Sequence, residues 1–394
     1  RNEYLATLGN EQIISKLAEV GNLWRSPDYP LRQMALDADP EETGFPREVL
    51  AAGLDACFAD WTQEKFFMLL TQEFGDPTRL QSFASQPNRT YSMVNGPQLI
   101  AHIAPGNLPV PVFQSIAFGL LLRSAQFVKC ASGKSLLPRL FGHSLHFVEP
   151  GMAAALEIAE WDGGNESLES ALFAEADCVT VNGGDKTVES IRQRLPLAKR
   201  LAGYGHRVSF GYVEKQANEV MGTQTVISHA ADDVVAWNQH GCLSPHVIYV
   251  EENGSLNPAR FAEMLAGELE ARNETMPRGP ISTRESAAIS TAAMTGRAGS
   301  PGAKMPWGPR SSVMAQADRA TTEVAIRSEG MGRMARLRCR CPPSSASCAH
   351  GKLNVCIGCE TVTYRRYTGE PSLKCDPGVN RACIKRHCSV SAKR

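Results

Sequence analysis

A chain of 394 residues with 41 Lys and Arg against 41 Asp and Glu carries no net charge, and 43% of it is hydrophobic. That balance gives no basis for nucleic-acid binding or a charged membrane partner, and the length suits about two or three domains. Its longest apolar runs, such as 116–122, are far too short to span a bilayer. Arg1 to Leu5 has neither an initiator Met nor an apolar signal core, so a cytoplasmic chain that is already a fragment at its front end is expected. The totals conceal a division. From Thr291 onward there are 18 Lys and Arg and 6 Asp and Glu, a net of +12, which leaves the first 290 residues at −12. Cys57, Cys130, Cys178 and Cys242 precede that point, and eight cysteines follow it. All 14 Phe lie at or before Phe261, so the two stretches do not build one core in the same way.

Taken in order, residues 1 to about 75 read as helices. Glu11–Val20 is apolar at helical spacing (Ile13, Ile14, Leu17, Val20), and Pro46–Phe58 and Trp61–Leu70 repeat the pattern. Asp60 is the expected N-cap of the last of these, with Glu64 in its first turn. Gly75-Asp76-Pro77 breaks the layer. From about Tyr91 short β-prone runs alternate with helical ones. Strands are expected at Leu99–Ala104, Ala125–Cys130, His146–Val148, Cys178–Val181, Arg207–Tyr212 and Val247–Val250. Helices are expected at Pro111–Arg123, Leu136–His143, Glu166–Ala174 and Val188–Leu201. Strands separated by helices of about ten residues indicate a doubly wound parallel sheet. A turn and a helix beginning near Thr283 extend this fold, and past Ala292 no period of 2 or 3.6 is legible.

Several loops after expected strands carry residues suited to ligand chemistry. Ala101–Val112 (AHIAPGNLPVPV) is a strand, a Pro/Gly-rich loop and a helix, a form that lets backbone amides approach a phosphate or polar ligand. Asn107 within it can donate an amide N–H to an oxyanion, although an ordinary βα turn has the same composition. Lys129 ends a strand with Ser132 beside it, where open α/β sheets bind ligands, while surface lysines are commonly just solvated. Gly133-Lys134-Ser135 imitates the end of a phosphate-binding loop but lacks the earlier glycine and is set aside. Thr180–Asp185 (TVNGGD) is a third loop of this kind. His206 in Tyr204–Phe210 (YGHRVSF) is either structural or a general acid/base, since its proton transfers near neutral pH. Asn238–His246 (NQHGCLSPH) sets Cys242 after Gly241 at a tight turn. Such a turn presents the sulfur and lets the cysteine's own N–H receive an oxyanion; the alternative is a small buried Cys beside a structural turn.

In this order, APGNLPVP at 104–111, FVKCASG at 127–133, NGGD at 182–185, YGHRVSFGYV at 204–213, NQHGCLSPH at 238–246 and MPRGPIS at 276–282 resemble the acyl-CoA reductase family of bioluminescence-type fatty acid reductases, within the aldehyde dehydrogenase superfamily. The resemblance covers roughly residues 1–290. It implies an α/β, aldehyde-dehydrogenase-like fold of doubly wound parallel sheets, with an N-terminal helical segment (1–90) and a nicotinamide-cofactor-binding Rossmann-like domain (91–215). The start of a catalytic domain with its Cys nucleophile (216–290) and an anomalous tail (291–394) follow. Residue by residue, it implies Cys242 as the acylated nucleophile and Asn107 in the oxyanion hole with the Cys242 N–H. Lys129 and Ser132 would face the adenosine ribose and its 2′-phosphate, hence NADPH, and Asn182, Gly183 and Gly184 would line the cofactor cleft. His206 is the candidate acid/base. Aldehyde-oxidising members carry a Glu base in a Glu-Leu-Gly-Gly segment, whereas the similar place here, Ser209–Val213, has no carboxylate. That suits reduction, because activated water would waste the acyl-enzyme. The implied reaction is NADPH-dependent reduction of a long-chain acyl-CoA or acyl-protein thioester to a fatty aldehyde. Acyl-protein synthetase and acyltransferase partners are implied, and a homo-oligomer where the native C-terminus is present.

The tail departs from that pattern, with the Arg/Ser/Cys/Pro bias of a slipped reading frame and no native structure expected. Its competing reading is a zinc-binding appendage using Cys356, Cys359, Cys375, Cys383, His387 and Cys388. On that reading the chain is an inactive or regulatory binding protein derived from the same fold. A non-redox Cys acyltransferase or thioesterase is a third reading, separable by whether NADPH is consumed.

Overall fold

A computed structural model of the chain describes residues 2–86, 90–207, 209–214, 216–251 and 256–279, with further strands at 323–325, 336–338, 355–357 and 360–367. The expected turn from residue 280, the helix near Thr283, and Cys359, Cys375, Cys383, His387 and Cys388 lie outside these residues. The N-terminal layer is helical: α1 (Asn2–Thr7), α2 (Asn10–Arg25), α3 (Pro30–Asp37), α4 (Pro40–Thr43), α5 (Arg47–Phe58) and α6 (Gln63–Phe74). The apolar stripe of α2 is buried as its spacing predicts, with Ile13, Leu17, Val20 and Trp24 fully enclosed. The cap of α6 is Thr62 rather than Asp60: the Thr62 hydroxyl oxygen accepts from the Lys65 N–H at 3.2 Å.

A short ribbon, β1 (Ala84–Ser85) with β2 (Tyr91–Ser92), leads into a five-stranded parallel sheet. Its strands are β3 (Leu99–Ile103), β4 (Ala125–Cys130), β5 (Leu156–Glu160), β6 (Cys178–Asn182) and β7 (Arg200–Tyr204), in the order β5-β4-β3-β6-β7. Helices α7 (Val110–Leu121), α8 (Leu136–Val148) and the single turn α9 (Pro150–Ala153) join the first half; α10 (Glu166–Glu175) and α11 (Asp185–Arg194) join the second. α7 and α8 cover one face together with the N-terminal layer. Their shared core stacks Trp24, Phe58, Phe113 and Phe141, with neighbouring ring centroids 4.8–6.3 Å apart. Leu172, Phe173, Val188 and Ile191 from α10 and α11 cover the other face against Ala101, Ile103, Val179 and Val181.

Two expectations fail here for local reasons. His146–Val148 is the last turn of α8, because Leu137, Leu140, Phe141, Ser144 and Leu145 continue the helical stripe until Pro150; the strand comes later, as β5. The helix expected over Val188–Leu201 stops at Arg194, two residues before Pro196, and β7 follows.

A second sheet follows at once. β8 (Ser209–Val213) runs parallel to β9 (Val247–Val250), with α12 (Ala217–Met221) and α13 (Thr223–Val235) between them and α14 (Pro258–Thr275) after. Val226, Ile227, Val234, Phe261, Leu265 and Leu269 of α13 and α14 pack against Val213, Ile248 and Val250. Beyond Thr291, where no period is legible, β10 (Glu323–Ala325) pairs antiparallel with β11 (Arg336–Arg338). β12 (Val355–Ile357) pairs antiparallel with β13 (Glu360–Tyr367), whose Thr/Val/Tyr-rich sequence lies parallel to β8 in the second sheet. Among the described residues no helix is long and apolar enough to cross a membrane.

Candidate active site

Strand order alone locates a crevice. The first sheet reverses direction of winding between β3 and β6, and in open parallel sheets ligands sit outside the carboxyl ends of the strands at such a switch. The loops there are Ala104–Pro109 after β3 and Gly183-Gly184 after β6. The first lines a shallow groove together with Lys134, Leu137 and Pro138. The second starts α11, a ten-residue helix whose first turn keeps its N–H donors, whereas Pro109 and Pro111 remove donors from the start of α7. Asp185 Oδ1 accepts the His206 N–H at 2.7 Å, and the Gly183 N–H donates to Tyr204 O at 3.2 Å, so the loops after β6 and β7 are tied together.

Cys242 lies on the facing side. Its loop precedes β9, and Ser209 at the start of β8 holds it: the Ser209 hydroxyl donates to the Cys242 carbonyl at 2.5 Å, and the His246 N–H donates to Ser209 O at 2.8 Å. The amino edge of the second sheet therefore meets the carboxyl edge of the first. Asn107 makes the junction, with Nδ2 donating to the His240 carbonyl at 2.7 Å. Just before it, Trp237, Asn238 and Gln239 are all left-handed, with φ of 53°, 50° and 63°. Each such residue costs roughly 1–2 kcal/mol, so the turn needs outside support. Trp237 lies edge-on to Phe45 at 5.1 Å and against α5 at Gly53, where a Cβ would come 2.5 Å from the indole. His240 also meets Phe45 edge-on, at 5.9 Å.

Of the four cysteines with described surroundings, Cys242 is the exposed one. Burial pushes Cys57 up to about 12 and Cys130 up to about 11, and it raises Cys178, so these thiols stay protonated at neutral pH. The His206 and His246 rings meet edge-on at 6.3 Å. Lys129 is 6% exposed and forms no hydrogen bond or ion pair among the described residues; its Nζ sits 5.9 Å over the Trp161 ring. Ser132 donates its hydroxyl to Asp162 Oδ1.

A sequence model of the acyl-CoA reductase (LuxC) family matches residues 5–297. The chain belongs to that family. Solved structures similar to this reductase-family chain are the aldehyde dehydrogenase KauB from Pseudomonas aeruginosa (13% identity, TM-score 0.59, 80% of this chain and 69% of that one), an NAD-dependent aldehyde dehydrogenase from Sinorhizobium meliloti (13%, 0.53, 79% and 66%), and an NADP-dependent enzyme from E. coli (12%, 0.55, 74% and 58%). They share the aldehyde-dehydrogenase-like α/β fold, and the chain spans 58–69% of their lengths. No curated protein sequence matches it.

In this acyl-CoA reductase family chain the structure joins Asn107 to the Cys242 turn and sets Asn182, Gly183 and Gly184 at the switch point. His206 comes beside His246, and Lys129 and Ser132 stand together at the outer end of the crevice, one β-strand away from Asn107. Sequence reasoning missed Ser209, Asp185, Asp162, Phe45 and Gly53. Asp185 lay inside a quoted motif and stood where helix α11 begins; nothing in the order of residues ties Phe45 or Gly53 to a turn near 237.

Proposed function

We propose that the chain takes an acyl group from a thioester onto Cys242 and releases it as an aldehyde, with a nicotinamide dinucleotide held in the crevice. The observation that carries this reading is the 2.7 Å bond from Asn107 to the His240 carbonyl, which locks an amide donor onto the turn bearing the exposed thiol. An Asn amide has two N–H donors; the second has no partner among the described residues and is the donor offered to an oxyanion. The Cys242 thiol passes its proton to the His206–His246 pair as Sγ bonds to the thioester carbonyl carbon, the carbonyl pair moves to oxygen, and collapse expels the coenzyme A sulfur, which takes that proton from the pair. The crevice fits the cofactor: Gly183, Gly184 and the start of α11 suit a pyrophosphate, and the buried, unpaired Lys129 suits the adenosine end. When bound, the nicotinamide supplies the hydride that reduces the acyl group. The strand edge against Cys242 begins Ser209-Phe210-Gly211, with no carboxylate to activate water, so the acyl group is kept for reduction.

The test is peptide-mapped mass after brief incubation with a long-chain acyl-CoA in the absence of nucleotide. An acyl adduct on Cys242 is expected, formed ~10²–10³-fold more slowly in Asn107→Ala. Folded protein without an adduct on Cys242 refutes the reading.

A further inference from the structure

The two imidazoles beside the Cys242 turn are carried by different parts of the chain. His246 leads into β9, and its backbone N–H is fixed on Ser209 O at 2.8 Å, at the start of β8. His206 lies in the short link between β7 and β8 and is itself exposed, so no core packing sets its position. Its ring nevertheless meets that of His246 edge-on at 6.3 Å.

The first residue of α11 ties this link down. Asp185 Oδ1 accepts the His206 N–H at 2.7 Å. A Cβ at Gly205 would strike the same oxygen, so the glycine beside His206 is what lets the carboxylate reach the backbone. The Gly183 N–H donates to Tyr204 O at 3.2 Å and holds the other end of the link to the same loop. An acid in the first turn of a helix ordinarily serves that helix, through its free N–H groups or its dipole. Here α11 has no side-chain cap, and the Asp185 oxygen is spent across the gap on the link. The bond is to backbone, so it sets where the His206 ring starts from, and any oxygen acceptor at that place would do the same.

Resting on the reading that the His206–His246 pair takes the Cys242 proton and returns it to the leaving sulfur, we propose that Asp185 is the positioning residue of that pair: its carboxylate holds the His206 backbone so that the ring faces His246. The start of α11 thereby sets one member of the proton-transfer pair, and the start of β8 sets the other. Asp185 is exposed, so its substitution opens no gap in the core.

The rate of acyl transfer from a long-chain acyl-CoA to Cys242, followed by peptide-mapped mass in the full chain without nucleotide, tests this. Asp185→Ala should slow the adduct about 10–10²-fold, the cost of misplacing a proton-transfer group by roughly an ångström. The loss should fall on the rate at saturating acyl-CoA, with the half-saturating concentration unchanged. Asp185→Asn should recover most of the rate, because it removes the same charge yet keeps an oxygen that accepts the His206 N–H. His206→Ala should be at least as slow as Asp185→Ala, and adding Asp185→Ala to it should cost nothing further, since the two act as one unit. Three results overturn the inference while leaving Cys242 as the nucleophile: Asp185→Asn as slow as Asp185→Ala, an equal further loss in the His206→Ala background, or wild-type acylation by His206→Ala. A folded wild type that forms no adduct on Cys242 overturns the acyl-transfer reading and this inference with it.

Discussion

His102 sits in β3, the strand at the switch point, and it is buried between its neighbours on either side. Its Nε2 and Gln126 Oε1 on β4 are 2.9 Å apart, and its Nδ1 is 2.7 Å from Thr180 Oγ1 on β6. Gln126 Nε2 donates to Ile116 O at 3.1 Å, which leaves Oε1 as the acceptor; Nε2 of the imidazole therefore carries the proton and Nδ1 receives the Thr180 hydroxyl. Gly119 of α7 permits this, since a Cβ there would lie 2.3 Å from the Gln126 amide carbon. Burial lowers the imidazole from 6.5 to about 4, opposed by the Gln126 bond. The unfolded chain thus binds this proton more readily, so its contribution is complete above pH 6.5 and is lost as pH falls toward 4. At ~1.4 kcal/mol per pH unit the loss is about 2 kcal/mol at pH 5 and about 3 kcal/mol at pH 4. Denaturant unfolding of wild type and His102→Asn between pH 8 and pH 4 isolates it, because other titrating groups cancel in the difference. The wild type should lose that much more than the variant, and its His102 ring protons should not titrate above pH 5. Parallel curves, or a ring titrating near 6.5, refute the reasoning.

Two further outcomes follow from the Cys242 turn and from the buried thiols. At pH 8 a neutral alkylating reagent should modify Cys242 well before Cys57, Cys130 and Cys178, since a thiol pushed up to about 12 holds ~10³-fold less thiolate than an ordinary one; peptide mapping that finds Cys57 labelled as fast as Cys242 contradicts the burial argument. Gly53→Ala gains about 1 kcal/mol of helix propensity in α5 but drives a methyl into the Trp237 indole, at a cost of roughly 1–3 kcal/mol. Denaturant unfolding should show a net loss of stability together with a changed alkylation rate at Cys242, and a more stable variant with an unchanged rate would show that Trp237 does not support the turn.

Period and punctuation made much of the fold legible. The stripes of α2 and α5, the strands β3, β4 and β6 with helices α7, α8 and α10, and β9 at Val247–Val250 follow from alternating apolar runs and turn residues. The errors came where local signals conflict. His146–Val148 is β-prone in isolation yet continues the face set by Leu137, Leu140 and Phe141, and Pro196 divides a run whose polarity alone reads as helix. α13 and α14, which supply the second core, went unmarked because Thr, Ser and Gly, or many charged residues, dilute their apolar stripes. At the site, Asn107, Asn182, Gly183, Gly184 and Cys242 were readable as residues following strands or a tight turn. The carboxylate beside Ser132 was not, because Asp162 follows a different strand and meets Ser132 only once β4 and β5 pair.

The same reasoning shows why the N-terminal helices belong to the chemistry as well as to the core. Three consecutive left-handed residues before His240 form a conformation that the chain does not hold unaided. The groups that brace it come from Phe45 just before α5 and from Gly53 within α5, while Asn107 and Ser209 pin the turn from the two sheets. The thiol is exposed because its carrier is clamped on three sides by elements distant in sequence. A change in the helical layer that leaves every crevice residue in place, such as Gly53→Ala, therefore acts on Cys242 through the turn that presents it.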